Sequence, residues 1–216
     1  MPADPDAKLL ALMRAIAAGE SATALGQLQQ DPALATLSIQ TGATRGGPEG
    51  YFLAEIGHYA YAGATALHIA AAAHRVEVVD ALLRLGADVR RRDRRGAQPL
   101  HAASVGRPGA GNWDPPAQVA TIVRLIRAGA DPNSSDKNGA TPLHRAARTR
   151  AAAAVDALLA GGADPARKNR SGSTPAMLAA QTTGRSGSGS PAAKQQQREI
   201  VRSLGDPQAS THDRAI

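Results

Sequence analysis

The chain has 216 residues, a formal net charge of +7 at pH 7 and no cysteine, which excludes a disulfide framework and any thiolate metal or redox site. With one Trp, three Tyr and one Phe, its core must be built from Leu, Val, Ile and Ala, which suits closely stacked helix pairs. No stretch approaches the roughly 18 apolar residues of a transmembrane helix. The acidic start lacks a basic-then-apolar leader, so a soluble cytoplasmic chain, outside any membrane, is expected.

Charge is unevenly placed. Residues 1–60 carry three basic and six acidic side chains, residues 61–170 carry 17 and nine, and the remainder five and three. The excess is nearly all arginine, a field that favours acidic partners and speeds their association.

In chain order, Leu9, Leu10, Met13 and Ile16 mark an amphipathic helix ending at Gly19. Leu25 and Leu28 mark its partner before Asp31-Pro32, and residues 41–50 read as a loop. The stretch from Tyr51-Phe52-Leu53 to Tyr61 holds four of the five aromatics and reads as an apolar closure packed on the segment C-terminal to it. Residues 1–60 are thus expected to form an N-terminal helical capping region.

A phrase then recurs four times: Ala64-Thr65-Ala66-Leu67-His68, Ala97-Gln98-Pro99-Leu100-His101, Ala140-Thr141-Pro142-Leu143-His144 and Ser173-Thr174-Pro175-Ala176-Met177. Each copy comes directly after a glycine, Gly63, Gly96, Gly139 or Gly172. Gly-Ala-Asp phrases at Gly86, Gly129 and Gly162 keep the same beat. Self-similarity near 33 residues is the mark of stacked repeats.

In the third copy Gly139 allows a sharp turn, Thr141 stands where a hydroxyl caps a helix, and Pro142 comes next at the first helical position. Leu143, Ala146 and Ala147 give a short inner helix; Val155, Leu158 and Leu159 give an outer one that stops at Gly161-Gly162. Aligning outer helices on Val79, Ile122, Val155 and Ile200 leaves insertions between inner and outer helix of the second and fourth copies, at residues 104–117 and 182–194. These read as long loops projecting from one edge. The last copy replaces leucine and histidine with Ala176 and Met177, as a terminal repeat does.

These residues resemble the ankyrin repeat family over about residues 60–204. The expected fold class is all-α with β-hairpin turns, a solenoid of about five helix-turn-helix units. Repeats are expected at 61–93, 94–136, 137–169 and 170–204, before a disordered tail at 205–216. The resemblance implies hairpin fingers, inner and outer helices and a concave binding face.

His68, His101 and His144 occupy equivalent positions. Stacked helices lie about 8–10 Å apart whereas zinc needs nitrogens about 2 Å away, so these rings cannot share an ion. A hydrogen bond near the helix start is the expected role, as the resemblance also implies, and no metal or cofactor is expected. His58 and His74 lack ligand spacing. The Gly184–Ser190 loop lacks the lysine and spacing of a nucleotide-binding loop and reads as a linker. No nucleophile–base pair or Gly-x-Ser-x-Gly elbow is present, so catalysis is not expected. Asp93 and Asp136 read as turn-stabilising.

The resemblance places finger tips and inner-helix ends on the binding face. Arg94 and Arg95, Lys137 and Asn138, and Arg170 stand beside the opening glycines, and Arg145 and Arg148 lie on the third inner helix. Trp113 in the first insertion is an interface anchor or a ring folded back on its own repeat. The expectation is a monomeric, non-enzymatic module that binds an acidic protein partner through these residues. Nucleic-acid binding is the second reading, against which stand the absent interleaved aromatics and groove-reading motif. A third is a regulatory subunit holding a phosphorylated ligand near Arg107, Arg148, Arg150 and Arg185.

Overall fold

The computed structural model describes residues 6–44, 46–111, 113–181 and 190–205. The chain divides into two compact units, one running to Ala103 and including Ala120–Asp131, the other comprising Ser104–Val119 and the residues from Pro132 onward.

In the first unit, helix α1 (Ala7–Ala18) buries Leu9, Leu10, Leu12, Met13 and Ile16. It stops at Gly19, whose left-handed backbone lets its N–H reach the carbonyls of Ala15 and Ile16. Helix α2 (Ser21–Gln30) turns Ala24 and Leu28 inward, while Leu25 is only half-buried. Asp6, 1% exposed, accepts hydrogen bonds from the backbone amides of Gln40 (2.8 Å) and Thr41 (3.0 Å) and from the Tyr51 hydroxyl (3.3 Å). That buried carboxylate ties α1 to the loop after α2.

Strands β1 (Phe52–Leu53) and β2 (His58–Tyr59) pair antiparallel, Phe52 opposite Tyr59. Bridges join Gly42 to Tyr61 and Ser38 to Thr65, so β2 and its continuation lie between two neighbouring segments. Helices α3 (Ala66–Ala72) and α4 (Val76–Arg84) form the first full repeat, and α5 (Pro99–Ala103) packs against α3. Helix α6 (Pro115–Arg127) crosses the division between the units. Its last two turns bury Ile122 and Leu125, and Arg124 pairs with Asp80 of α4 at 2.9 Å.

The second unit holds α7 (Pro142–Arg148) and α8 (Ala152–Ala160), then α9 (Pro175–Ala180) and α10 (Pro191–Leu204). With α1–α2 and the two pairs before them, the described residues contain five helix pairs. Val79, Ile122, Val155 and Ile200, the residues that align the outer helices, are all fully buried.

The insertions are shorter than expected. Asp114 and Ser190 cap α6 and α10: their side chains accept the amides of Ala117 (3.0 Å) and Ala193 (3.2 Å), and Pro115 and Pro191 start the helices. Residues 115–117 and 191–194 are therefore helical. The described part of the first insertion does not simply project, because the Gly106 amide donates to the Thr149 hydroxyl at 2.9 Å and Ser104 is fully buried. The Gly184–Gly189 stretch, Arg185 within it, and the tail from residue 206 lie outside the described residues.

Within each unit one finger is a tight turn fastened to the one before it. In the first unit the Arg94 amide donates to the Ala62 carbonyl at 2.6 Å, and in the second the Arg170 amide donates to the Asn138 carbonyl at 3.0 Å. Gly139 (φ +72°) sits at this second approach, where a Cβ would stand 2.9 Å from the Arg170 nitrogen. Gly162 (φ +90°) has the same handedness but nothing within 4 Å of a Cβ. Both alanine variants carry backbone strain of about 1–3 kcal/mol. Only Gly139→Ala adds a backbone collision, so urea titration should show it to be the less stable of the two; equal midpoints would contradict the finger contact.

Candidate interaction surface

The repeated phrase is consumed inside the fold. At Thr141 the hydroxyl accepts the His144 amide (3.4 Å), and the Thr141 amide donates back to His144 Nδ1 (3.2 Å). Because Nδ1 receives an N–H, it carries the lone pair and the ring proton sits on Nε2. Nε2–H then donates to the Ser173 carbonyl of the next repeat at 3.0 Å. In the first unit, His68 takes the Thr65 amide on Nδ1 (3.1 Å) and reaches the Ala97 carbonyl (3.2 Å). His101 accepts the Gln98 amide at 3.2 Å. All three rings are at most 3% exposed. Among the described residues no cluster of three or more His, Asp or Glu could hold a metal ion.

The finger carboxylates are equally committed. Asp93 Oδ1 accepts the amides of Arg95 (2.8 Å) and Ala97 (2.9 Å), and Asp136 Oδ1 those of Asn138 (2.8 Å) and Ala140 (3.0 Å). Asn169, which sequence reasoning passed over, does the same for Ser171 and Ser173, both at 3.0 Å. Its place 33 residues after Asp136 was the signal that could have found it.

The predicted site residues fall into three groups. Arg94 and Arg95 in the first unit, and Lys137, Asn138, Arg148 and Arg170 in the second, are exposed. Arg145 is not: it is 8% exposed, and its guanidinium donates to Asp136 at 2.9 Å. It is a core residue that locks the finger to α7, a correction to its placement on a binding face. The cause is local: Arg145 is the fourth residue of α7, and its side chain reaches back nine residues to the Asp136 carboxylate of the same finger. Trp113 is half-buried and its indole N–H donates to Gln118 Oε1 at 3.0 Å, so the ring folds back on the start of α6. Arg150 is 6% exposed with φ +59° and donates to the Gln181 carbonyl at 3.5 Å.

A second correction concerns the aromatic stretch. Strand alternation sends Leu53 and Ala60 into the core at 2% and 0% exposure, while Phe52 is 41% exposed and Tyr59 and Tyr61 are half-exposed on the other side. Phe52 and Tyr59 stack at 4.6 Å, and Tyr61 lies 6.2 Å from Tyr59. Both Arg94 (5.6 Å) and Arg95 (5.2 Å) lie over the Tyr61 ring. The aromatics are a platform rather than a closure.

A family model described as "Ankyrin repeats (many copies)" matches residues 125–179, and one described as "Ankyrin repeat" matches residues 62–94. The chain carries ankyrin repeats. Its helix-turn-helix plan, capped by Thr-Pro and bridged by histidine, is that of ankyrin repeats. Ankyrin repeats are generally protein–protein interaction modules. A search of curated proteins returns no match. Among the described residues no helix is long and apolar enough to cross a membrane.

Burial holds the His144 imidazole below its ordinary pKa of 6.5; the Ser173 carbonyl and Asp136 oppose this, and Arg167 and Arg148 add to it. For Asp136, burial favours the neutral acid, but hydrogen bonds from Arg145, Asn138 and Ala140 and the charge of Arg145 outweigh it and hold the carboxyl below 3.8. Both groups bind fewer protons folded than unfolded, so acid destabilises the fold in two windows. The His144 contribution is complete above about pH 6.5 and fades below it; the Asp136 contribution fades below about pH 3.8. Thermal unfolding midpoints should fall between pH 7.5 and pH 5.5, and fall less in His144→Gln. Identical slopes in the two proteins would contradict the neutral imidazole.

Proposed function

We propose that the chain is a non-enzymatic interaction module that binds an acidic protein surface through its finger tips. One observation carries the reading: the turn carboxylates of the fingers are turned inward to accept backbone amides, while the cations beside them are exposed. Arg94 and Arg95 are such cations in the first unit, and Lys137, Arg170 and Arg148 at the end of α7 in the second. Arginine's planar fork suits carboxylates, and an exposed row of cations raises association rate and selects against basic partners. The net charge of residues 61–170, 17 basic against nine acidic, supports the same sign of partner.

The reading uses an intracellular setting, where such a chain would act as a monomer beside its partner. Nucleic acid is disfavoured by where the aromatics lie: they form a single platform before the first repeat and are not interleaved with the fingers of the second unit. The phosphorylated-ligand reading loses Arg150, which is engaged with Gln181.

The test is an affinity pull-down with two charge-reversed proteins, Arg94→Glu/Arg95→Glu and Lys137→Glu/Arg148→Glu/Arg170→Glu. Arg145 is left intact, because a second carboxylate beside Asp136 would cost several kcal/mol and unfold the repeat. The expected result is that partners captured by the native chain are depleted at least tenfold by one set or both, with thermal stability unchanged. Unchanged capture by both would overturn the reading.

A further inference from the structure

Resting on that reading, we infer that the first unit carries a formed peptide-binding pocket, and that its occupant is an extended segment pairing a carboxylate side chain with an apolar one. The depression is about 350 Å³, open to solvent, and is lined by Thr44, Pro48, Tyr59, Tyr61, Arg94 and Arg95. That volume lies at the lower end of ligand-pocket sizes and accommodates a few side chains rather than a domain.

Its chemistry is two-part. At one end Arg94 and Arg95 lie over the Tyr61 ring, and no carboxylate lines the pocket or pairs with either guanidinium among the described residues. Arg94 spends one N–H on the Ala43 carbonyl at 2.8 Å, and Arg95 makes a long 3.5 Å contact with the Tyr61 hydroxyl. A guanidinium has five N–H donors, so most remain for a ligand. The Ala43 bond and the ring beneath hold the forks in place, which lowers the entropy cost of binding an anion. At the other end the lining is Tyr59 and Pro48, and Phe52, opposite Tyr59 across the strand pair, supports the Tyr59 ring from outside the pocket lining. The rings carry no charge, so this end wants an apolar side chain.

The spacing of the two ends fits an extended peptide. Tyr61 is 6.2 Å from Tyr59, and the guanidiniums lie over the Tyr61 ring, 5.2–5.6 Å from its centroid. Alternate side chains of an extended chain are about 6.6–7 Å apart on one face, so an apolar residue on Tyr59 places a carboxylate two positions away beside Tyr61, where it meets the two arginines. A free carboxylate metabolite would use only the arginines and leave the rings exposed.

The experiment is a heteronuclear NMR titration of the full chain with two hexapeptides, one containing Glu-Ser-Leu and one Leu-Ser-Glu, beside controls with Gln for Glu or Ala for Leu. Shifts confined to Thr44, Tyr59–Tyr61 and the Arg94 and Arg95 Nε–H groups, weakened at least tenfold by either control, by Arg94→Gln/Arg95→Gln or by 0.5 M salt, are expected. No shift there at several millimolar peptide, or equal shifts with the Gln control, would overturn the pocket. The two levels separate in the pull-down. Capture lost on charge reversal but unchanged in Tyr59→Ser refutes the pocket and leaves the interaction reading standing; capture unchanged in all variants refutes the wider reading.

Discussion

A neutral imidazole holding two backbone segments at once is the constraint on which the rest depends. At His144 one ring nitrogen closes the start of α7 by accepting the Thr141 amide, and the other reaches the Ser173 carbonyl of the next repeat. His68 does the same between Thr65 and Ala97. Each ring thus fixes a helix start and a finger base together, in places where an unpaired buried amide or carbonyl would cost about 1–3 kcal/mol. The arrangement works only while the ring is uncharged. A proton on Nδ1 would confront the threonine N–H, and burial already disfavours the cation at His144.

Once the fingers are fixed from within, their outward side chains are the part to which the proposed binding role falls. The turn carboxylates of Asp93 and Asp136 are consumed by backbone amides, and Asp136 also by buried Arg145. Arginine therefore plays two roles that one-letter proximity disguises. Arg145 is a bolt, whereas Arg94, Arg95 and Arg148 are exposed. The same division runs through the aromatic stretch, where alternate residues build core and platform from adjacent positions.

Much of the scaffold was legible in residues with local causes. Thr141-Pro142, the Gly19 stop and the buried Val79, Ile122, Val155 and Ile200 reflect capping, left-handed termination and helical period, all of which act over a few residues. The same capping logic is written in Asp114-Pro115 and Ser190-Pro191, which start α6 and α10 ahead of the buried Ile122 and Ile200 that share the helical period. What could not be read was tertiary. Arg145 pairs with a carboxylate nine residues earlier, and Tyr61 meets arginines 33 and 34 residues later. Both depend on how one turn is laid on another, which spacing along the chain does not encode.

The central claim is that the repeated histidines are neutral structural bridges, which commits them to the scaffold. Long-range proton–nitrogen NMR of the histidine rings at pH 7 tests this most directly. The account predicts that His68 and His144 are Nε2–H tautomers with an unprotonated Nδ1 and a slowly exchanging Nε2 proton. An Nδ1–H tautomer, an imidazolium pattern, or rapid exchange at Nε2 would contradict it.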